Sequence, residues 1–136
     1  MRIPVEFSKS RSGKHASRKI AVAILEDGRG LILSKPVEEG DQSIKVYARG
    51  YAGFAATPPN TKYIVWFDLV RNLRGHIKGR VVVYNAKGEP LLELVLRRRK
   101  LRRVRGDPGL APIVEKALKT IKLYDYIRRI NLNTGA

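Results

Sequence analysis

The densest run of charge in the chain lies at residues 97–105, RRRKLRRVR, in which seven of nine side chains are cations. Arginine dominates the run, and a guanidinium both forks onto phosphate oxygens and stacks on bases. If the run continues the leucine-rich strand before it, Arg97, Arg99 and Arg103 share one face at about 7 Å per step, which suits the phosphates of a single strand. The pattern therefore predicts a phosphate-binding ridge. Its basic members are Arg97, Arg98, Arg99, Lys100, Arg102, Arg103 and Arg105.

Aromatic side chains form the second group that could bind a ligand. Six of the ten aromatic residues fall within residues 47–67, where cations are interleaved with them. A base stacked on such a ring contributes about 1–3 kcal/mol, so this pattern is typical of a platform for single-stranded nucleic acid. Two alternatives stay open, namely that Tyr51 and Phe54 anchor their Gly/Ala-rich loop and that Trp66 belongs to the core. The candidate binding residues added by this segment are Lys45, Tyr47, Arg49, Tyr51, Phe54 and Trp66.

Catalytic chemistry finds little support in the sequence. The twelve carboxylates fall mostly in predicted turns, caps and solvent-facing positions, whereas a metal-dependent nuclease needs several of them to converge on Mg²⁺. There is no P-loop, no GxSxG motif and no cysteine. With two histidines as the remaining soft ligands, a zinc site is not expected either. We therefore expect a protein without enzymatic activity, cofactor or metal.

The charge balance indicates the class of partner. Twenty-eight Lys and Arg residues against twelve Asp and Glu give a net charge of +16, which attracts polyanions. Nucleic acid, an anionic membrane surface and an acidic protein are the candidates, and a generic basic domain is the plain alternative. No stretch is apolar enough for a membrane span or a signal peptide, so we expect a cytoplasmic protein. The absence of Cys, with one Met and one Gln, is typical of thermophilic proteins.

The length of 136 residues indicates a single folded domain. We expect residues 1–18 to be a basic, flexible N-terminal arm and residues 19–136 to form one α+β nucleic-acid-binding domain. Residues 3–7 alternate apolar and polar side chains, so a short edge strand there is the alternative.

Two hairpins are predicted from turn chemistry and alternation. The first pairs residues 20–26 with 30–34 across Asp27-Gly28, since Asp-Gly supplies the positive φ of a tight turn. The second runs through residues 81–96 with its turn at 85–90, and a further strand is expected at 43–49.

Two helices complete the predicted fold. Residues 62–74 place apolar side chains on one broad face and end before Gly75, although a buried strand over YIVWF is the competing interpretation. A long C-terminal helix is expected from Pro108, capped by Asp107, to about residue 130. The sum is an α+β fold: an antiparallel four- to five-stranded sheet of hairpins packed with helices.

Residues 95–118, VLRRRKLRRVRGDPGLAPIVEKAL, together with the preceding hairpin resemble the ThermoDBP-related proteins of hyperthermophilic archaea. The resemblance covers about residues 20–130 in strand and helix order, and its most specific part is the basic strand followed by the RGDP helix start. It implies a four-stranded antiparallel sheet wrapped by helices, with a hydrophobic cleft edged by cations. Such a cleft takes single-stranded DNA without strict sequence preference.

The resemblance also suggests site residues. It implies that residues 97–105 edge the cleft and that aromatic side chains line it. Longer family members carry a C-terminal leucine zipper that this sequence lacks, so we expect any homo-oligomer to use another surface. The implied cleft residues are Tyr47, Tyr51, Phe54 and Trp66.

The sequence thus predicts a non-enzymatic, sequence-tolerant single-stranded DNA-binding protein. Three alternatives remain open: an RNA-binding module, a chromatin-type protein that binds duplex DNA, and an accessory protein that docks on an acidic partner. A 2′-hydroxyl contact leaves no readable motif, so the sequence does not separate DNA from RNA.

Overall fold

The chain folds mainly as β-structure. A computed structural model describes residues 8–9, 16–33 and 58–132. Turns of 3₁₀-helix at Pro108–Leu110 and Tyr124–Tyr126 flank the α-helix. In chain order the other elements are β1 (Ser8–Lys9), β2 (Ala16–Leu25), β3 (Gly30–Leu33), β4 (Thr61–Arg71), β5 (Ile77–Asn85), β6 (Pro90–Arg97), β7 (Lys100–Gly106), α1 (Ala111–Thr120) and β8 (Arg129–Asn131).

The eight strands that the structure describes belong to one sheet. Their order is β1-β2-β4-β5-β6-β7-β8, and β3 pairs with the same edge of β2 as β1 does. Neighbouring strands are antiparallel except β7 and β8, which are parallel. Parallel neighbours need a crossover connection, and α1 lies in the segment that joins these two strands.

The predicted α+β architecture is wrong. The described chain is mostly sheet, with more strands than the four or five expected, and its single α-helix has ten residues. The helix ends at Thr120 because Lys122 adopts a left-handed backbone with φ of 58°. The amides of Lys122 and Leu123 donate to the carbonyls of Lys119 and Leu118, which is the helix ending that glycine usually provides. No helix among the described residues has the length and apolar character needed to cross a membrane.

The predicted helix over residues 62–74 is also wrong, and the structure shows the competing strand. This stretch forms β4, which is hydrogen-bonded to β2 on one edge and to β5 on the other. Ile64, Val65 and Phe67 are all fully buried, although they lie on different faces of the sheet. A strand buried on both faces has a nearly continuous apolar run, so periodicity alone does not distinguish it from a helix.

Both predicted hairpins are confirmed. β2 pairs with β3 across the Asp27-Gly28 turn, in which Gly28 has a φ of 90°. The Asp27 carboxylate accepts a hydrogen bond from the Arg29 amide at 3.0 Å, and this bond lowers the pKa of Asp27. β5 pairs with β6 across residues 85–90.

Strand pairing reaches into the predicted N-terminal arm. Ser8 pairs with Ser17 and Lys9 with Ala16, and β2 also pairs with β4 from Ala16 onward. The predicted strand at residues 43–49 and the alternating residues 3–7 lie outside the described residues.

One face of the sheet carries the hydrophobic core, and we call it the core face. Successive side chains of a strand point to opposite faces, so alternate residues such as Val65, Phe67 and Leu69 of β4 are buried here. Val114 and Leu118 of α1 pack into the same cluster. The core face is therefore closed by the helix and the chain that follows it.

A buried hydroxyl ties that last segment to the sheet. The Tyr126 hydroxyl accepts a hydrogen bond from the Ile77 amide at 2.9 Å, and both residues are buried. Tyr126→Phe leaves this amide without a partner, so we expect the free energy of unfolding to fall by about 1–3 kcal/mol. Chemical denaturation measures the change. Tyr124→Phe is the control, because that ring is only partly buried, and an equal loss in both variants would contradict the assignment.

Candidate nucleic-acid interface

The basic run does not continue as one strand. The chain reverses at Arg98 and Arg99, whose φ values of 54° and 63° are both left-handed, and Arg97 pairs with Lys100. Two consecutive positive φ values define the tight hairpin turn that Asn-Gly normally occupies. The predicted ridge is therefore divided between the end of β6, the turn and β7.

Two arginines of the predicted ridge bind backbone on the core-face side of the sheet. The Nε atom of Arg99 donates to the Tyr126 carbonyl at 2.8 Å, and the guanidinium lies 5.0 Å from the centre of the Tyr126 ring. The Nε atom of Arg103 donates to the Leu132 carbonyl at 2.6 Å, and its Nη1 donates to the Gly106 carbonyl at 3.2 Å. Both guanidiniums are thus bound to backbone carbonyls of this domain and do not belong to the interface.

The opposite side of the sheet, which we call the basic face, carries exposed cations from five strands. Alternation assigns the positions: Leu101 is buried in the core, so Arg102, which pairs with Val95, points the other way. On the described strands the carboxylates of this face are Asp68 and Glu93. Its exposed basic side chains include Lys19, Lys78, Arg80, Arg97, Lys100, Arg102, Arg105 and Arg129.

Strand register aligns four of these cations across the sheet. Arg97 pairs with Lys100, and Lys100 pairs with Arg129. Lys78 precedes the paired Gly79 and therefore stands beside Arg97. Neighbouring strands are about 4.8 Å apart, so this cation row, made of Lys78, Arg97, Lys100 and Arg129, spans roughly 14 Å.

A cavity of about 560 Å³ opens on the basic face beside the cation row. That volume is typical of sites for small organic groups. Val82, Tyr84 and Leu92 are its buried residues, whereas Lys19, Arg80 and Arg105 are exposed around it. The residues that line it are Lys19, Trp66, Asp68, Arg80, Val82, Tyr84, Gly88, Pro90, Leu91, Leu92, Glu93, Arg105 and Gly106.

Glu93 orients two arginines at the cavity. Its side chain is 14% exposed and forms ion pairs with Arg80, whose Nε lies 3.1 Å from Oε2, and with Arg105, whose Nη2 lies 2.8 Å from Oε1. Arg105 Nε also donates a hydrogen bond to Oε1 at 2.9 Å. Both guanidiniums are more than half exposed, so the two pairs add little stability. Their effect is on geometry, since each guanidinium keeps further donors for a ligand.

The remaining polar groups of the cavity are a phenol and a carboxylate. Burial raises the pKa of Tyr84, with the nearby Arg80 opposing and Glu93 adding to the shift, so its hydroxyl stays protonated at neutral pH. Asp68 is partly buried and lies in register between Lys19 on β2 and Arg80 on β5.

The structure brings together only part of the predicted site. Trp66 lines the cavity and is partly buried beside Ile64 and Val82, so it belongs both to the site and to a small second apolar cluster. Arg98 lies exposed in the turn. Four residues of the basic run are on the basic face: Arg97, Lys100, Arg102 and Arg105. Five predicted residues lie outside the described residues: Lys45, Tyr47, Arg49, Tyr51 and Phe54.

Sequence reasoning missed several members of the interface. Lys78, Arg80, Val82 and Tyr84 occupy every second position of β5, so the alternation that would have revealed them is present in the sequence. The helix predicted over residues 62–74 gives no reason to place Asp68 beside Trp66, whereas β4 puts both on one face. Within the part of the chain that the structure describes, no three metal-ligating side chains come together.

Comparison with known proteins adds no relative, because no protein-family model, curated protein or solved structure matches the chain. The resemblance to the ThermoDBP-related proteins stays a prediction.

Proposed function

We propose that this protein is a non-enzymatic, cytoplasmic single-stranded DNA-binding protein that contacts its ligand through the basic face, with little dependence on sequence. The observation that carries the proposal is the exposed cation row beside a cavity lined by Trp66 and Tyr84. A single strand presents both phosphates and bases to a protein, and this face has a surface suited to each.

The cations account for affinity without sequence preference. The row members and Arg102 are exposed, and none of them has a carboxylate opposite it in the strand register. Phosphate contacts of this kind release counterions and carry no base information. Arg80 and Arg105, held at the cavity by Glu93, extend the positive surface to where bases would enter.

The cavity favours a single strand over a duplex. Bases in a duplex are stacked on one another, whereas a single strand can turn a base toward an aromatic side chain. A surface that bound only phosphates would not need a cavity lined by aromatic side chains among its cations. The carboxylate of Glu93 is engaged by two guanidiniums, which suits a positioning function better than acid–base chemistry.

A salt titration tests the proposal. With four to six phosphate contacts, log K for a single strand should fall with log salt at a slope of roughly −3 to −4. Between 50 and 200 mM salt the affinity should therefore drop about 50- to 300-fold. Trp66 is the only tryptophan, so its emission reports directly on the cavity and should be quenched by the single strand.

Competition among a DNA strand, its duplex and the matching RNA at fixed salt completes the test. We expect the single strand to win and the duplex to quench Trp66 far less. A flat salt response would overturn the proposal. Equal affinity for duplex and single strand would mean that the protein binds phosphates only and does not select single strands. Tighter binding of RNA would mean that the ligand is RNA and not DNA.

A further inference from the structure

Asp68 is a carboxylate that the phosphate-binding chemistry does not explain. It lies in the cavity, partly buried, at the centre of a surface that collects anions. Among the described residues it has no ion pair or hydrogen bond, because Arg80, its neighbour in register, pairs with Glu93 instead. A negative charge at this position repels phosphate and therefore lowers affinity.

Its place on the strand puts it next to the stacking surface. Asp68 and Trp66 are two positions apart on β4, so both side chains point to the same face at a spacing of about 7 Å. An aromatic ring offers a base its face, and a carboxylate offers the edge of that base an acceptor. The two together form the minimal set for holding one base and reading its edge.

We propose that Trp66 and Asp68 form a nucleobase site in this cavity that prefers bases bearing an exocyclic amino group. The inference rests on the proposed function, since it names what the same face selects. An ionised carboxylate only accepts hydrogen bonds, so it pairs with the amino group of cytosine, adenine or guanine. Thymine and uracil present a carbonyl oxygen where cytosine presents that amino group, and the carboxylate repels it.

A merely structural explanation makes different predictions. Asp68 stands between Lys19 and Arg80 in register, and opposite charges on neighbouring strands contribute about 0.2–1 kcal/mol. If that were its whole purpose, Asp68→Asn would lower the melting temperature slightly and leave base preference unchanged. If it reads bases, base preference changes whatever the effect on stability.

The test compares oligo-dC with oligo-dT of twelve nucleotides, two pyrimidine ligands of equal charge, at pH 7.5 and fixed salt. The full chain should bind oligo-dC at least about fivefold more tightly. Asp68→Asn should bring the two affinities within about twofold, mainly by strengthening oligo-dT. Glu115→Gln on α1 makes the same change of charge away from the cavity and should preserve the preference.

The possible outcomes distinguish failure of the nucleobase site from failure of single-strand binding. No preference in the unmodified protein, or a preference that survives Asp68→Asn, overturns the nucleobase site while single-strand binding stands. Trp66 quenching by the mononucleotides dCMP and dTMP repeats the comparison on the unmodified protein, so the site remains testable if the variant does not fold. A protein that binds no single strand and neither mononucleotide overturns both proposals.

Discussion

Replacing Arg99 and Arg103 together by alanine is expected to destabilise the protein strongly and to leave its nucleic-acid affinity almost unchanged. The substitutions remove two charged donors that bind the Tyr126 and Leu132 carbonyls, and with them the side-chain contacts that Arg99 and Arg103 make with the C-terminal segment. Hydrogen bonds to charged groups contribute about 1.5–3 kcal/mol each, so the loss should be at least about 3 kcal/mol. For a domain of this size that lowers the melting temperature by roughly 10 °C.

Arg97→Ala with Arg102→Ala is the matched control. It removes the same charge from the same β6–β7 hairpin, but from the basic face, where both side chains are exposed. Its melting temperature should move by less than about 2 °C, since exposed substitutions cost little. If the two double variants melted alike, or if the Arg99 and Arg103 variant lost binding while still folded, the division of the basic run between two faces would be wrong.

The second large effect is expected from the basic face itself. Lys78→Ala, Arg97→Ala and Arg102→Ala together should lower the affinity for a single strand about 100-fold at 0.1 M salt. The figure follows from a slope of about −0.7 per contact, which makes each contact worth roughly fivefold at that salt. The salt dependence should become shallower by about 2, so the affinities of the variant and the unmodified protein should converge near 1 M salt.

A triple substitution on the other side of the molecule controls for net charge. Lys116 and Lys119 lie on α1 and Arg128 follows it, and all three are exposed. Their replacement by alanine removes the same three charges and should change affinity by only a few fold through long-range attraction. Equal losses in the two triple variants would mean that net charge alone drives binding and that the basic face has no special function.

The parts of the fold that the sequence predicted correctly are those encoded by short-range chemistry. Asp27-Gly28 and the turn at residues 85–90 specify hairpins through backbone conformations that few residues adopt readily. The errors arose where tertiary context overrides local preference. Lys122 and the pair Arg98-Arg99 adopt left-handed backbones without being glycine or asparagine, so their sequence gave no sign of a helix end or a reversal.

In the candidate site, too, some features could be predicted from local sequence and others depend on the tertiary structure. The basic run was visible as composition, and Trp66 was identified as an aromatic candidate. Which cations share a face depends on where β7 begins. Because the sequence does not reveal the turn at Arg98 and Arg99, it does not show that Arg99 and Arg103 point to the core face. The cavity is lined by residues of five strands, β2, β4, β5, β6 and β7, so no local sequence pattern reveals it.

The connectivity of the sheet determines in what order the members of the cation row come together during folding. From β4 to β7 each strand pairs with the next one in sequence through a short turn, so these contacts close small loops at low entropic cost. Pairing of β8 with β7 closes a much longer segment that contains α1. Lys78, Arg97 and Lys100 are thus brought together by local contacts, whereas Arg129 joins them only through this long-range closure. Low contact order therefore characterises the centre of the basic face and high contact order its edge.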